Sequence, residues 1–131
     1  MKRFSVSLPP PLLERFDRTW KGMKYENRSK AVHDALQRFI TEVQVVSREG
    51  PVIGVVAVLQ YLDKPGVLNE VSLVTHKHKK IISSINQNYI EENKLLQVIS
   101  MEGKVIELER YTQELMAVKG VKEVKTSIIA P

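Results

Sequence analysis

Met1-Lys2-Arg3-Phe4-Ser5-Val6-Ser7-Leu8-Pro9 is the stretch on which the reading of this chain turns. Its residues alternate. Successive side chains of a strand point to opposite faces, so Phe4, Val6 and Leu8 share one face and Arg3, Ser5 and Ser7 the other. A single strand has unpaired backbone on both edges and needs a partner. A second copy of itself would serve. Two such strands make a ribbon with its apolar face on a core and two sets of Arg, Ser and Ser outside. A DNA major groove admits a two-stranded ribbon, and these side chains have the size and chemistry to read base edges. The plainer alternative is a short edge strand with a solvated face.

The chain has 131 residues, 43% of them hydrophobic, enough for one ordinary domain or two small ones. No apolar run is long enough to span a membrane, and no signal-peptide pattern opens the sequence. There is no cysteine, which excludes disulfides and thiolate metal ligands and fits a cytoplasmic protein. The net charge of +5 is uneven. Residues 1–50 hold ten Lys/Arg against six Asp/Glu, and residues 51–131 hold ten against nine. The first part therefore carries most of the field that would attract a polyanion.

Pro9-Pro10-Pro11 ends strand pairing, and the last proline suits the first turn of a helix. Leu12, Leu13, Phe16 and Trp20 follow at helical spacing to about Lys21-Gly22. After a short connection, Asn27 or Arg28-Ser29 opens a second helix, whose apolar stripe is Val32, Ala35, Leu36, Phe39, Ile40 and Val43. It is expected to run to about Ser47. Its N-terminus, with Arg28, Ser29 and Lys30, offers N–H groups and positive charge to a phosphate. A strand and two helices within about 47 residues bury too little to stand alone, and a dimer solves this while pairing the strand. The alternating strand with Arg-x-Ser-x-Ser, the leucine-rich helix and Tyr25-x-Asn27-Arg28-Ser29-x-Ala31-Val32 together resemble the ribbon-helix-helix DNA-binding fold.

Gly50-Pro51 breaks the second helix and sets a domain boundary, dividing the chain into 1–49 and 50–131. Val52 to Leu59 is a β-branched run that reads as a buried strand. Asp63-Lys64-Pro65-Gly66 is a turn. Val67, Leu68, Val71 and Val74 suggest a helix running into His76-Lys77-His78-Lys79-Lys80. Ile81 to Ile90 reads as a strand, Glu91 to Lys94 as a hairpin turn, and Leu95 to Met101 as the partner strand. Val105, Leu108, Tyr111, Leu115 and Val118 mark another helix, closed at Lys119-Gly120. Val121 to Ile129 is a last strand. This β-α-β-β-α-β order is ferredoxin-like, shared with amino-acid-binding regulatory (ACT-type) domains. The fold class is α+β.

The two halves in this order and length resemble the NikR family of nickel-responsive transcriptional repressors. Arg3, Ser5 and Ser7, Tyr25-x-Asn27-Arg28-Ser29 and the Val118-Lys119-Gly120-Val121 segment carry the likeness. The resemblance implies ribbon-helix-helix dimers flanking a tetrameric ACT-like core, a homotetrameric dimer of dimers, and double-stranded operator DNA as partner. It implies a square-planar site of three His and one Cys shared across a subunit interface, a donor set suited to nickel. Here those positions fall at His76, Gln87, Tyr89 and Leu95, and only His76 is an effective ligand. The family's secondary cation site falls at Asp34 and at Lys30, where a carboxylate is expected.

His76 and His78 lie two apart, which is one face of a strand but not of a helix. No catalytic constellation is present: no nucleophile–base pair, no Gly-rich phosphate loop and no paired carboxylates in a recognisable motif. The expectation is therefore a non-enzymatic, sequence-specific DNA-binding regulator, a repressor, that does not answer to nickel through the usual site. No cofactor is expected, and nickel or another divalent metal would bind without high affinity. Two other readings remain open. One is a regulatory module binding an amino acid or anion. The other is an antitoxin-like ribbon-helix-helix protein whose second half holds another protein.

Overall fold

The β-branched run after Gly50-Pro51 becomes the central strand of a four-stranded antiparallel sheet. The computed structural model describes residues 1–131. Strand β1 (Val52–Tyr61) pairs with β3 (Lys94–Gly103) on one side and β4 (Val121–Ile129) on the other, and β2 (Ile82–Ile90) lies outside β3. The order is β2-β3-β1-β4. Helices α3 (Val67–Lys77) and α4 (Val105–Met116) connect the strands, and a short 3-10 turn (Lys79–Ile81) leads into β2. The β-α-β-β-α-β order read from sequence for the second half is recovered, with most boundaries shifted by a residue or two.

Alternation along β1 sends Val52, Val56, Val58 and Gln60 to the interior, where all four are fully buried. Ile99 and Met101 of β3, Val67 and Val71 of α3, and Leu108, Tyr111 and Leu115 of α4 complete that interior. Gly54 lies on the same inward row, and a Cβ there would sit 2.6 Å from Leu108 Cδ2 and 3.0 Å from Met101 Cε. The missing side chain is what lets α4 settle on the sheet. Gly120, which feeds β4, has φ +97 and would bring a Cβ within 2.8 Å of Val67 Cγ2. Glu107 reaches back to accept the Lys104 N–H at 3.0 Å, which satisfies one of the free donors at the start of α4.

The chain divides into two compact units, Met1–Val43 and Gln44–Pro131. The sequence places the division at Gly50-Pro51, a few residues later. In the first unit, α1 (Pro10–Gly22) and α2 (Arg28–Val46) form where the periodicity puts them. Asn27 Oδ1 accepts the Lys30 N–H at 2.9 Å and caps α2. Residues 1–9 form no strand in the single chain. The reason is chemical: a ladder needs a second strand, and the first unit holds no other.

Candidate nucleic-acid interface and candidate metal centre

Arg3, Ser5 and Ser7 are all exposed, as are Phe4, Val6 and Leu8 between them. Arg28, Ser29 and Lys30 are exposed at the start of α2. Two of these side chains are already engaged. Arg28 forks onto Asp17 of α1, its Nε–H donating to Oδ1 at 3.0 Å and its Nη2 to Oδ2 at 2.7 Å. The Trp20 indole N–H donates to the same Oδ1 at 2.8 Å. Arg28 and Trp20 together hold the Asp17 carboxyl below the usual aspartate range. The guanidinium thus first fixes α2 against α1. Its side chain stays 56% exposed, which leaves N–H groups for an outside acceptor. Sequence reasoning missed this fork because Asp17 and Arg28 lie on different helices.

Lys30 donates to Glu26 at 3.0 Å. Tyr25 donates its hydroxyl to Asp34 Oδ2 at 2.7 Å, and His33 Nδ1 lies 3.5 Å from Asp34 Oδ1. Tyr25, and less strongly His33, hold the Asp34 carboxyl below its ordinary value, and the same bond raises the Tyr25 hydroxyl. Asp34 is therefore occupied from within its own unit.

In the second unit, His76 is exposed in the last turn of α3, and His78 caps that helix. His78 Nε2 lies 2.7 Å from Glu114 Oε2, and Lys77 donates to Glu114 Oε1 at 2.8 Å. Lys77 and His78 hold the Glu114 carboxyl below its ordinary value. The His78 ring also lies against that of Tyr111, with centroids 5.2 Å apart. The Tyr111 hydroxyl is 2.8 Å from that of Thr75, and burial raises its pKa. The two histidines are thus not a pair: one faces water and the other is engaged with Glu114.

Gln87 and Tyr89 of β2 are exposed, whereas Leu95 of β3, opposite Tyr89, is buried. The Gln87 side-chain oxygen accepts a hydrogen bond from Gln97 Nε2 at 3.2 Å. Gln97 Oε1 accepts in turn from Gln60 Nε2 at 3.1 Å. Three amides on three neighbouring strands thus form a row on the helix-bearing side of the sheet, ending in the interior. Nothing in the sequence flags this row, because Gln60 and Gln97 are 37 positions apart and meet only through the strand register.

The family model described as the NikR C terminal nickel binding domain matches residues 53–129. The chain belongs to the NikR family. A Methanothermobacter thermautotrophicus protein, provisionally named nickel-responsive regulator 2, is 32% identical over 126 residues, which is 95% of this chain and 90% of that protein. A Pyrococcus abyssi protein, provisionally named a nickel-responsive regulator, is 33% identical over 94% of this chain and 89% of its own length. Among solved structures, an uncharacterized protein of Thermotoga maritima superposes with a TM-score of 0.55 at 16% identity, covering 60% of this chain and 96% of that one. The ACT domain of the Chlorobium tepidum GTP pyrophosphokinase gives 0.50 at 19% identity, over 59% of this chain and 99% of that one. These two show the fold of the second unit alone. The NikR relatives are named as regulators, and no helix of this member is long and apolar enough to cross a membrane.

At the positions that the resemblance assigns to the family's metal, the residues present do not fit it. Leu95 has no donor atom and is buried. The oxygen of Gln87 already accepts from Gln97. A phenol such as Tyr89 is a poor ligand for nickel, which favours imidazole and thiolate. No three His, Asp or Glu side chains come together as a metal-holding group.

Proposed function

We propose that this NikR-family chain is a sequence-specific DNA-binding transcriptional repressor of the cytoplasm, built as a homotetrameric dimer of dimers. Residues 1–49 form the ribbon-helix-helix half, and residues 50–131 the ACT-like regulatory and tetramerising half. Arg3, Ser5 and Ser7 read base edges from the paired ribbon, and Arg28, Ser29 and Lys30 meet the phosphates. Its DNA affinity is not set by nickel at His76, Gln87, Tyr89 and Leu95.

One observation carries this reading. The first unit buries a single residue, Ala31, while Phe4 is 71% exposed and Phe39 66% exposed. Val6, Leu36, Ile40 and Val43 are exposed as well. So much apolar surface on so short a segment supports a second copy as its cover, because solvated patches of this kind mark interaction sites. Two copies that pair their first strands would set Arg3, Ser5 and Ser7 on the outer face.

Selection of bound duplexes from a random DNA pool, with and without added nickel, tests the function. The native chain is expected to enrich one motif in both conditions. Arg3→Ala is expected to relax that motif and to weaken binding by about 1–3 kcal/mol, the worth of a good bidentate base contact. An unchanged motif and affinity in Arg3→Ala would remove the ribbon as the reader. Enrichment only with nickel would restore the metal as the effector.

A further inference from the structure

The basic run at the end of α3 does not simply trail into water. Residues 77–81 form one wall of a hollow of about 220 Å³, and Glu107 and Arg110 of α4 form the other. Four fixed cations line it, Lys77, Lys79, Lys80 and Arg110, against one carboxylate, Glu107. One oxygen of Glu107 already accepts the Lys104 N–H. Lys77 is paired with Glu114 at 2.8 Å. Lys79, Lys80 and Arg110 are exposed, and none of them enters an ion pair. Three unpaired like charges around one hollow repel one another, and an anion between them relieves that repulsion.

The walls are held in place. Glu114 Oε1 accepts from Lys77, and its Oε2 lies 2.7 Å from His78 Nε2, which ties the end of α3 to α4. The Tyr111 hydroxyl meets that of Thr75, and the Tyr111 ring lies against His78. Arg110 stands one turn before Glu114, on the same face of α4. Ile81, which also lines the hollow, is buried in the core cluster. The backbone that carries the cations is therefore set before any ligand arrives, and only side-chain freedom remains to be lost on binding.

We propose that this hollow binds a small phosphate-bearing anion, either inorganic phosphate or a phosphomonoester of a few carbon atoms. The Arg110 guanidinium presents a planar fork that matches two phosphate oxygens, and Lys79 and Lys80 act as point charges. The volume limits the ligand, since a drug-sized molecule takes about 300–1,000 Å³. Duplex DNA suits the hollow less. A phosphate backbone is met by cations along an open face, whereas Glu107 within this hollow and Glu114 beside it would oppose a polyanion. The site lies in the second unit. It goes beyond the DNA reading proposed for residues 1–49 and does not depend on it.

The test is titration calorimetry on the full chain at constant ionic strength, with inorganic phosphate and glycerol phosphate as probes and thermal melting as a check on folding. At least one probe is expected to bind once per chain and to raise the melting temperature. The tighter of the two identifies the source of the phosphate group. Arg110→Ala is expected to weaken binding about tenfold, and Lys79→Ala and Lys80→Ala about threefold each. Lys122→Ala, on β4, is the control and should bind as the native chain does. All four side chains are exposed, so the variants should melt with the native protein when no anion is present. Lys79→Ala decides if Arg110→Ala misfolds. No binding of either probe, or native affinity in the folded hollow variants, would overturn the proposal. An equal loss in Lys122→Ala would overturn it too, because the attraction would then be that of a basic protein in general. If neither probe binds while Arg110→Ala and Lys80→Ala lose affinity for random duplex DNA, the hollow is a nucleic-acid contact and the proposal fails. A chain that binds phosphate yet enriches no DNA motif would count against the proposed function and leave this site standing.

Discussion

Gln44–Pro131 closes its own interior, whereas Met1–Val43 leaves its apolar side chains half-buried or exposed, Ala31 apart. In the second unit, inward rows from β1 and β3 and from two helices meet in one cluster, and side chains as large as Tyr111, Leu108 and Leu115 are fully buried. In the first, α1 has no buried residue and α2 has only Ala31. Both helices are amphipathic, so the difference is not one of sequence quality. It is one of valence: a sheet with helices on one face needs only itself for a core, and two short helices need another surface. The contrast implies that the second unit is stable as one chain and the first is stable only as an assembly.

The comparison breaks most visibly at Tyr111. Tyr111→Ala removes a fully buried ring that also bonds Thr75 and lies on His78. It is expected to cost about 3–5 kcal/mol, seen as a lower denaturant midpoint by circular dichroism. That loss should be independent of protein concentration, because the core lies within one chain. A midpoint that moves with concentration would mean that the second unit, too, is completed by a partner.

Phe39→Asp is the converse. Phe39 is 66% exposed and belongs to the first unit, so the melting of the second unit should not change. A charge on the face proposed to meet a second copy should weaken dimerisation by about a hundredfold, or about 2.7 kcal/mol, as read by sedimentation. An unchanged dimer would place the covering surface elsewhere. Gly54→Ala comes next. Its Cβ would press on Leu108 and Met101, and overpacking of this kind costs about 1–3 kcal/mol. Since Leu108 belongs to α4, the loss should appear in the second unit alone, in a urea titration.

The smallest effect is a matter of pH. Asp17, held by Arg28 and Trp20, has its pKa lowered in the folded chain. A lowered pKa means that its stabilising contribution is present above the unfolded value and is lost as pH falls through the folded value. The first unit should therefore loosen below about pH 4, and Asp17→Asn should flatten that dependence. Fluorescence of Trp20, the protein's one tryptophan, reports on it directly. Identical acid profiles for the two proteins would mean that the fork does not hold the helices together.

Legibility in the sequence followed the same division. The second unit could be read almost element by element, because Val52 to Leu59 is a β-branched run, α4 repeats at helical spacing, and Gly66, Gly103 and Gly120 fall at or beside the joints. The helices of the first unit were equally plain. Its opening strand was legible only as a pattern, and residues 1–9 form no strand in the single chain. Side-chain ties between distant positions could not be read at all. Arg28 looks like a free phosphate donor until Asp17 is found beside it, and Gln87 looks like a lost ligand until Gln97 and Gln60 are found behind it.

The uncharged β2 strand also bears on how the protein comes off the ribosome. The inner strand β1 and both helices' partners are made before or soon after it, yet β2 emerges ahead of β3, its only neighbour within the chain. During that interval a nine-residue segment rich in asparagine, glutamine and isoleucine is without its neighbour, and such segments stack readily on copies of themselves. Fast closure of the Glu91–Asn93 turn is then a safeguard for the nascent chain. Lengthening that turn should first show itself as inclusion bodies in the expressing cell, before any loss of stability in the protein that does fold.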